Sequence, residues 1–142
     1  MSKSGDWYKK LREEDPIAYR KLMDEKYDRR VKQTNSDPTK FAQMKYSKQK
    51  AGALSRGYDW NLTEDDVHKL IKETKTCQLS GRELVLEINH RDGPSLDRID
   101  NNNGYSMKNV QVVSQQINKA RGEMSVDEFI QMCCEIADYS RL

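Results

Sequence analysis

The segment that most constrains the fold of this 142-residue chain lies between residues 94 and 122. Pro94-Ser95-Leu96-Asp97-Arg98-Ile99 alternates as a strand does. Asp100-Asn101-Asn102-Asn103-Gly104 is a dense turn cluster, because Asn and Asp bond their own backbone and Gly accepts positive φ. Val110-Gln111-Val112-Val113 is a β-branched second strand. Ser114 to Arg121 then reads as a short helix, with Gly122 ending it. Ser125-Val126-Asp127-Glu128 is a capping box that opens a last helix, with Phe129, Met132, Cys133 and Ile136 on its inner face. The C-terminal half therefore reads β-β-α plus a closing helix.

Upstream, two Asp-Pro pairs, Asp15-Pro16 and Asp37-Pro38, each place an N-cap residue before a proline at the first helical position. Tyr19, Met23, Tyr27 and Val31 make one face of the first of these helices, and Phe41, Met44, Ala51 and Leu54 mark the second, which stops at Gly57. Tyr58 to Leu62 is a short alternating segment. Thr63 and Asp66 form an imperfect capping box for a helix with Val67, Leu70 and Ile71 buried, ending near Thr76. Leu84-Val85-Leu86-Glu87-Ile88 reads as a further strand. The fold class expected is α+β and mostly helical, divided into a basic helical region, 1–57, and a ββα region with its closing helix, 58–142.

Charge follows the same division. Residues 1–60 hold 15 Lys/Arg against 9 Asp/Glu, a surplus of +6, whereas residues 61–142 carry −4. A basic half joined to an acidic half suggests that one follows phosphates while the other holds chemistry, or that both are solvated helix surfaces. No run of 18 apolar residues exists, which excludes a membrane-spanning helix, and the polar N-terminus has no signal-peptide core. The odd set Cys77, Cys133 and Cys134 contains no disulfide framework and no CxxC pair; buried free thiols in a reducing, cytoplasmic protein are expected.

A strand–turn–strand–helix unit can aim several polar side chains at one point. Asp97 lies on its first strand, Asn109 just before its second and Asn118 one turn into its helix. A carboxylate and an amide oxygen are hard ligands, suited to one Mg²⁺ or Mn²⁺ that keeps several waters.

The run SLDRIDNNNGYSMKNVQVVSQQINKARG resembles the ββα-metal motif of HNH endonucleases, in the variant common among small phage-encoded enzymes. The likeness extends upstream through KAGALSRGYDWNLTEDDVHKLIKETKTCQLSGREL and covers roughly residues 46–130. The resemblance implies a metal-dependent phosphodiester hydrolase. Asp97 matches its strand-one metal ligand and Asn118 the ligand at the last position of the motif. Asn109 matches the central Asn that fixes the long turn. Arg98 falls where the family has its general-base histidine. Arginine cannot be an ordinary base, but it can grip a phosphate. His90, seven residues upstream, is then either the missing base or a turn or surface histidine. Many relatives also carry two CxxC pairs that hold zinc. Here those positions read Cys77-Gln-Leu-Ser80 and Ser114-Gln-Gln-Ile117, so no structural zinc is expected. The core around Leu79, Ile99, Val112 and Ile117 would hold the motif together instead.

The expected activity is that of an HNH DNA endonuclease with one catalytic ion at Asp97 and Asn118. Its expected partner is duplex DNA, held by Arg29, Arg30, Lys45, Lys48, Lys50, Arg56, Lys119 and Arg121. Two rivals stand beside it: a DNA-binding module with an inactive HNH-derived fold, and a helical factor whose basic half binds an acidic partner. Target specificity, nicking against double-strand cleavage, monomer against homodimer, and a role in homing, host-DNA breakdown or packaging stay open at this level.

Overall fold

The structure, a computed structural model, describes residues 4–142. The elements run α1 (Gly5–Glu14), α2 (Pro16–Asn35), α3 (Pro38–Ser55), α4 (Glu64–Glu73), β1 (Pro94–Arg98), β2 (Val110–Ser114), α5 (Gln115–Arg121) and α6 (Val126–Ser140). The fold is α+β and mostly helical, and the two strands pair antiparallel with Leu96 opposite Val112 and Asp97 opposite Gln111.

The helix starts follow from local chemistry. The Asp15 carboxylate accepts from the Ala18 amide at 3.0 Å, and the Asp37 carboxylate accepts from the Thr39 and Lys40 amides at 3.0 and 3.3 Å. Each satisfies N–H groups that a helix leaves orphaned, worth about 1 kcal/mol. The boxes at Thr63/Asp66 and Ser125/Glu128 are both reciprocal, so the shorter Asp completes its box as Glu does. α3 ends at Ser55, and Gly57 turns the chain with φ +78°.

One hydrophobic core unites what the sequence divides. Phe41, Ala42 and Ala53 of α3 pack with Leu62, with Val67 and Ile71 of α4, and with Leu96, Tyr105, Val110 and Val112 of the ββ unit. The boundary expected at residue 57 therefore runs through this core. Leu54, near the end of α3, is exposed.

Two strands leave two open edges, and glutamines close both. On the β1 edge the Gln49 carboxamide donates to the Leu96 carbonyl at 3.1 Å and accepts from the Leu96 amide at 2.9 Å. On the β2 edge Gln78 accepts from the Val112 amide through its side chain, and its own amide donates to the Val112 carbonyl at 3.0 Å. A lone hairpin is marginal in water, and these contacts tie it to α3 and to the loop after α4.

Several expectations need correction. Residues 84–88 form no strand: their amides bond the Lys75 and Asp92 carbonyls and the Asn35 side chain, while Leu84, Leu86 and Ile88 pack on the rim of the core. Residues 58–62 contribute one bridge, Trp60 to Tyr105. Of the four residues expected around the motif, Val112 is fully buried, Leu79 and Ile117 are half-buried and Ile99 is exposed. On α6 only Phe129 is buried; Cys133, Cys134 and Ile136 face solvent. Cys77 alone is a buried thiol. No helix among the described residues is long and apolar enough to cross a membrane.

Candidate active site

α5 begins where β2 ends. Ser114 closes the strand and caps the helix, its hydroxyl accepting from the Ile117 amide at 3.2 Å. The helix thus folds back over one face of the sheet. On β1 that face carries Ser95 and Asp97, two residues apart; on α5 the facing residues are Asn118 and Arg121, three apart. The two periods match as rungs. The Asn118 amide nitrogen donates to Ser95 Oγ at 2.7 Å, and Arg121 Nη1 lies 2.7 and 2.6 Å from the two Asp97 oxygens. Gln111, opposite Asp97, donates to its Oδ2 at 2.9 Å.

Arg121 is buried to 1% exposure and also donates to the Arg98 and Ile99 carbonyls and to Asn101 Oδ1. Expected among the DNA contacts, it is instead the internal counter-ion of Asp97. Removing one partner of such a pair leaves an uncompensated buried charge.

The turn between the strands is held from both sides. Asn109 accepts from the Asp100 amide at 2.9 Å and donates to the Asp100 and Gly104 carbonyls at 3.0 and 2.9 Å. These bonds fix the turn. Arg98 donates to the Asn101 and Asn103 carbonyls at 2.8 and 3.1 Å and stacks on Tyr58, its guanidinium carbon 3.6 Å from the ring centroid. Only 7% exposed, Arg98 is spent on the turn rather than held free for a phosphate.

Beside these residues lies a cleft of about 240 Å³ in which Asp97, Asn118 and Lys119 meet Arg56, Tyr58 and Glu123. Arg56 and Lys119 are exposed on its rim, and neither lies within ion-pair distance of a carboxylate among the described residues. With Asp97 neutralised by Arg121, the lining is net cationic and suits an anion.

The donors fit a hydrated ion of the Mg²⁺ type. Asn118 spends its amide nitrogen on Ser95, which leaves its oxygen as a ligand. Asp97 uses three of its roughly four acceptor positions, leaving one. Two hard oxygens leave an ion most of its water, as Mg²⁺ prefers. The charge for a dication, however, is mostly cancelled by Arg121.

The remaining site expectations divide sharply. His90 lies in the turn before β1, outside the cleft lining, and its Nδ1 accepts from the Asp92 amide at 3.1 Å. Lys45 is buried beside Phe41; burial first, and then the charge of Lys48, push its ammonium down to about 8. Lys50 is half-buried against Tyr46. Arg29, Arg30 and Lys48 are exposed. Cys77 is a buried thiol in the loop after α4. Burial pushes its thiol up, but hydrogen bonds from Ser80, Ser114 and Leu79 outweigh this and hold it below the ordinary thiol value. Ser95, Gln111, Tyr58 and Glu123 escaped sequence reasoning. For Ser95 the usable signal was the matched spacing of 95/97 with 118/121.

No family model matches the chain, and no solved structure does. The chain is 29% identical over 140 residues to an uncharacterized protein of Acanthamoeba polyphaga mimivirus, a match that takes in 92% of this chain. The chain spans 24% of that viral protein's length.

Proposed function

We propose that this chain is a metal-dependent DNA endonuclease of the HNH class, cleaving phosphodiester bonds at the Asp97–Asn118 cleft. One observation carries this: α5 brings the free amide oxygen of Asn118 and the carboxylate of Asp97 to one cleft whose rim is cationic. Asp97 and Asn118 would hold a Mg²⁺ or Mn²⁺, which would supply Lewis-acid chemistry and positive charge at the phosphate. Lys119 and Arg56 bind the phosphate from the rim and hold it against the site. Ser95 fixes the Asn118 amide so that nitrogen is occupied and oxygen is presented. Arg98 and Asn109 hold the turn, and so the end of β1, in place.

The attacking water needs a proton acceptor, and His90 lies outside the lining. Glu123, a carboxylate exposed at the cleft, is the base in this reading. A second reading is favoured by the Arg121–Asp97 pair, which cancels the charge an ion needs: an HNH-derived module that binds DNA and does not cut it.

Incubation of supercoiled plasmid with wild type, Asn118→Ala and Glu123→Gln in Mg²⁺, Mn²⁺ or EDTA separates the two. The endonuclease gives metal-dependent open-circle or linear DNA. Asn118→Ala abolishes it, and Glu123→Gln slows it by roughly 10²–10⁴-fold. No conversion in any metal, with binding intact, selects the second reading.

A further inference from the structure

A second concavity lies away from the cleft. α2 and α3 diverge from the tight Ser36–Asp37 connection, and the groove between them, about 750 Å³, is closed at one side by Ile88 and Asn89. Arg30 stands on the α2 wall, and Lys40 and Lys48 stand on the α3 wall. All three are exposed, and none lies within ion-pair distance of a carboxylate among the described residues.

The surrounding sequence provides little internal counter-charge. Residues 26–56 carry nine Lys/Arg and two acids, Asp28 and Asp37, and Asp37 is committed to the α3 amides. The crowding is felt inside the helix, where the Lys48 charge adds to burial in lowering Lys45. Cations placed on both walls of a groove, with no anion of the protein between them, suit a linear polyanion.

The groove and the cleft share α3, which has Lys40 near its first turn and Arg56 at its C-cap. Sixteen residues at 1.5 Å each separate them by about 24 Å. That is about seven base-pair steps of duplex at 3.4 Å per step.

We infer that the α2–α3 groove is a second DNA site, which takes the sugar-phosphate backbone of the duplex on one side of the cleft and reads no bases. Arg30, Lys40 and Lys48 are its phosphate contacts. This surface deepens the endonuclease reading but requires no cleavage, so it is tested by binding alone.

The experiment is fluorescence anisotropy of a labelled 20-base-pair duplex in EDTA, titrated between 50 and 200 mM salt. Wild type is compared with Arg30→Gln, with the triple variant Arg30→Gln/Lys40→Gln/Lys48→Gln, and with a charge-matched control, Lys69→Gln/Lys72→Gln/Lys75→Gln on the exposed side of α4 and its loop. Each phosphate contact contributes about 0.9 to the slope of log K against log salt. The single variant is expected to lose about 0.9 and the triple about 2.7, with unchanged melting, while the control keeps the wild-type slope. An unchanged triple variant, an equal loss in the control, or binding of an RNA duplex but not of DNA overturns the groove assignment. Cleavage in the plasmid assay with an unchanged slope overturns it while leaving the endonuclease reading intact.

Discussion

Arg121 shows how a single side chain can set the character of a site. It satisfies Asp97, closes the end of β1 through two carbonyls and reaches the turn through Asn101. Arg121→Met should cost about 3–5 kcal/mol, because Asp97 then stays buried without a partner; chemical denaturation would measure it, and a loss under 1 kcal/mol would contradict the pair's role. The same neutralisation predicts weak divalent-ion binding by the free protein. Calorimetry with Mn²⁺ should show tighter binding when a non-hydrolysable duplex is present, since its phosphate supplies the charge that Arg121 cancels; equal affinity would refute this. Lys45 offers a second residue-scale test. The unfolded chain keeps that proton up to its ordinary value of 10.5, the folded chain only to about 8. Between those values the unfolded state binds more protons, so this group makes stability rise with pH from about 8 to 10.5. Below 8 the fold carries a buried charge. Lys45→Met should therefore stabilise the protein at pH 7, by roughly 3 kcal/mol at most, with the advantage fading towards pH 10.5. Urea midpoints at pH 7, 9 and 10.5 report it, and a lower midpoint at pH 7 would count against it.

At the scale of elements, the hairpin depends on groups outside it. Gln49 supplies both a donor and an acceptor to Leu96, in effect a third strand one residue long. Gln49→Leu should cost about 1–3 kcal/mol, the penalty for stranding buried polar groups, and should speed hydrogen exchange at the Leu96 amide; unchanged protection would mean that another group closes the edge. Gly104 tests how the long turn docks. A Cβ there would stand 2.5 Å from the Asp59 carbonyl oxygen, where the Tyr105 amide is already bonded to that same oxygen at 2.8 Å. Backbone cannot yield as a flexible side chain does. Gly104→Ala should therefore cost about 3 kcal/mol, near the upper end for overpacking, seen as a lower melting temperature. The strands, the caps and α5 were legible because each rests on nearest neighbours: β-branched runs, Asp-Pro pairs, a Ser-x-x-Glu box. Residues 84–88 misled because their apolar run meets the demand for burial without a strand to pair with. The apolar stripe of α6 misled for a related reason. Amphipathic spacing defines a face, but only the rest of the fold decides how far along the helix that face is covered.

Across the whole molecule, the charge asymmetry was visible in the sequence and its partition was not. Nothing local distinguishes Lys45, turned into the core, from Lys48, turned out, since that choice belongs to the packing of α3 on α4 and β1. Likewise the acid at Asp97 and the base at Arg121 were both apparent, but their meeting depends on α5 folding back over β1. At the boundary expected at residue 57, α3 has two faces with different tasks: Phe41, Ala42 and Ala53 complete the core, while Lys40 and Lys48 line the groove. This makes a prediction about fragments. A chain of residues 58–142 would expose Leu62, Val67, Ile71, Leu96 and Val112, all buried by or beside α3, and should not melt cooperatively. A chain of residues 34–142 keeps the buried Thr34, the Asn35 bond to the Ile88 amide and the whole core, and should fold. It lacks Arg30 and the α2 wall, so it should bind duplex with a shallower salt dependence while retaining whatever cleavage the full chain has. Thermal melts followed by near-ultraviolet circular dichroism, beside the anisotropy titration, test both parts. Cooperative melting of the 58–142 fragment would show that α3 belongs to the groove alone, and failure of the 34–142 fragment to fold would show that the α1–α2 pair is part of the core it flanks.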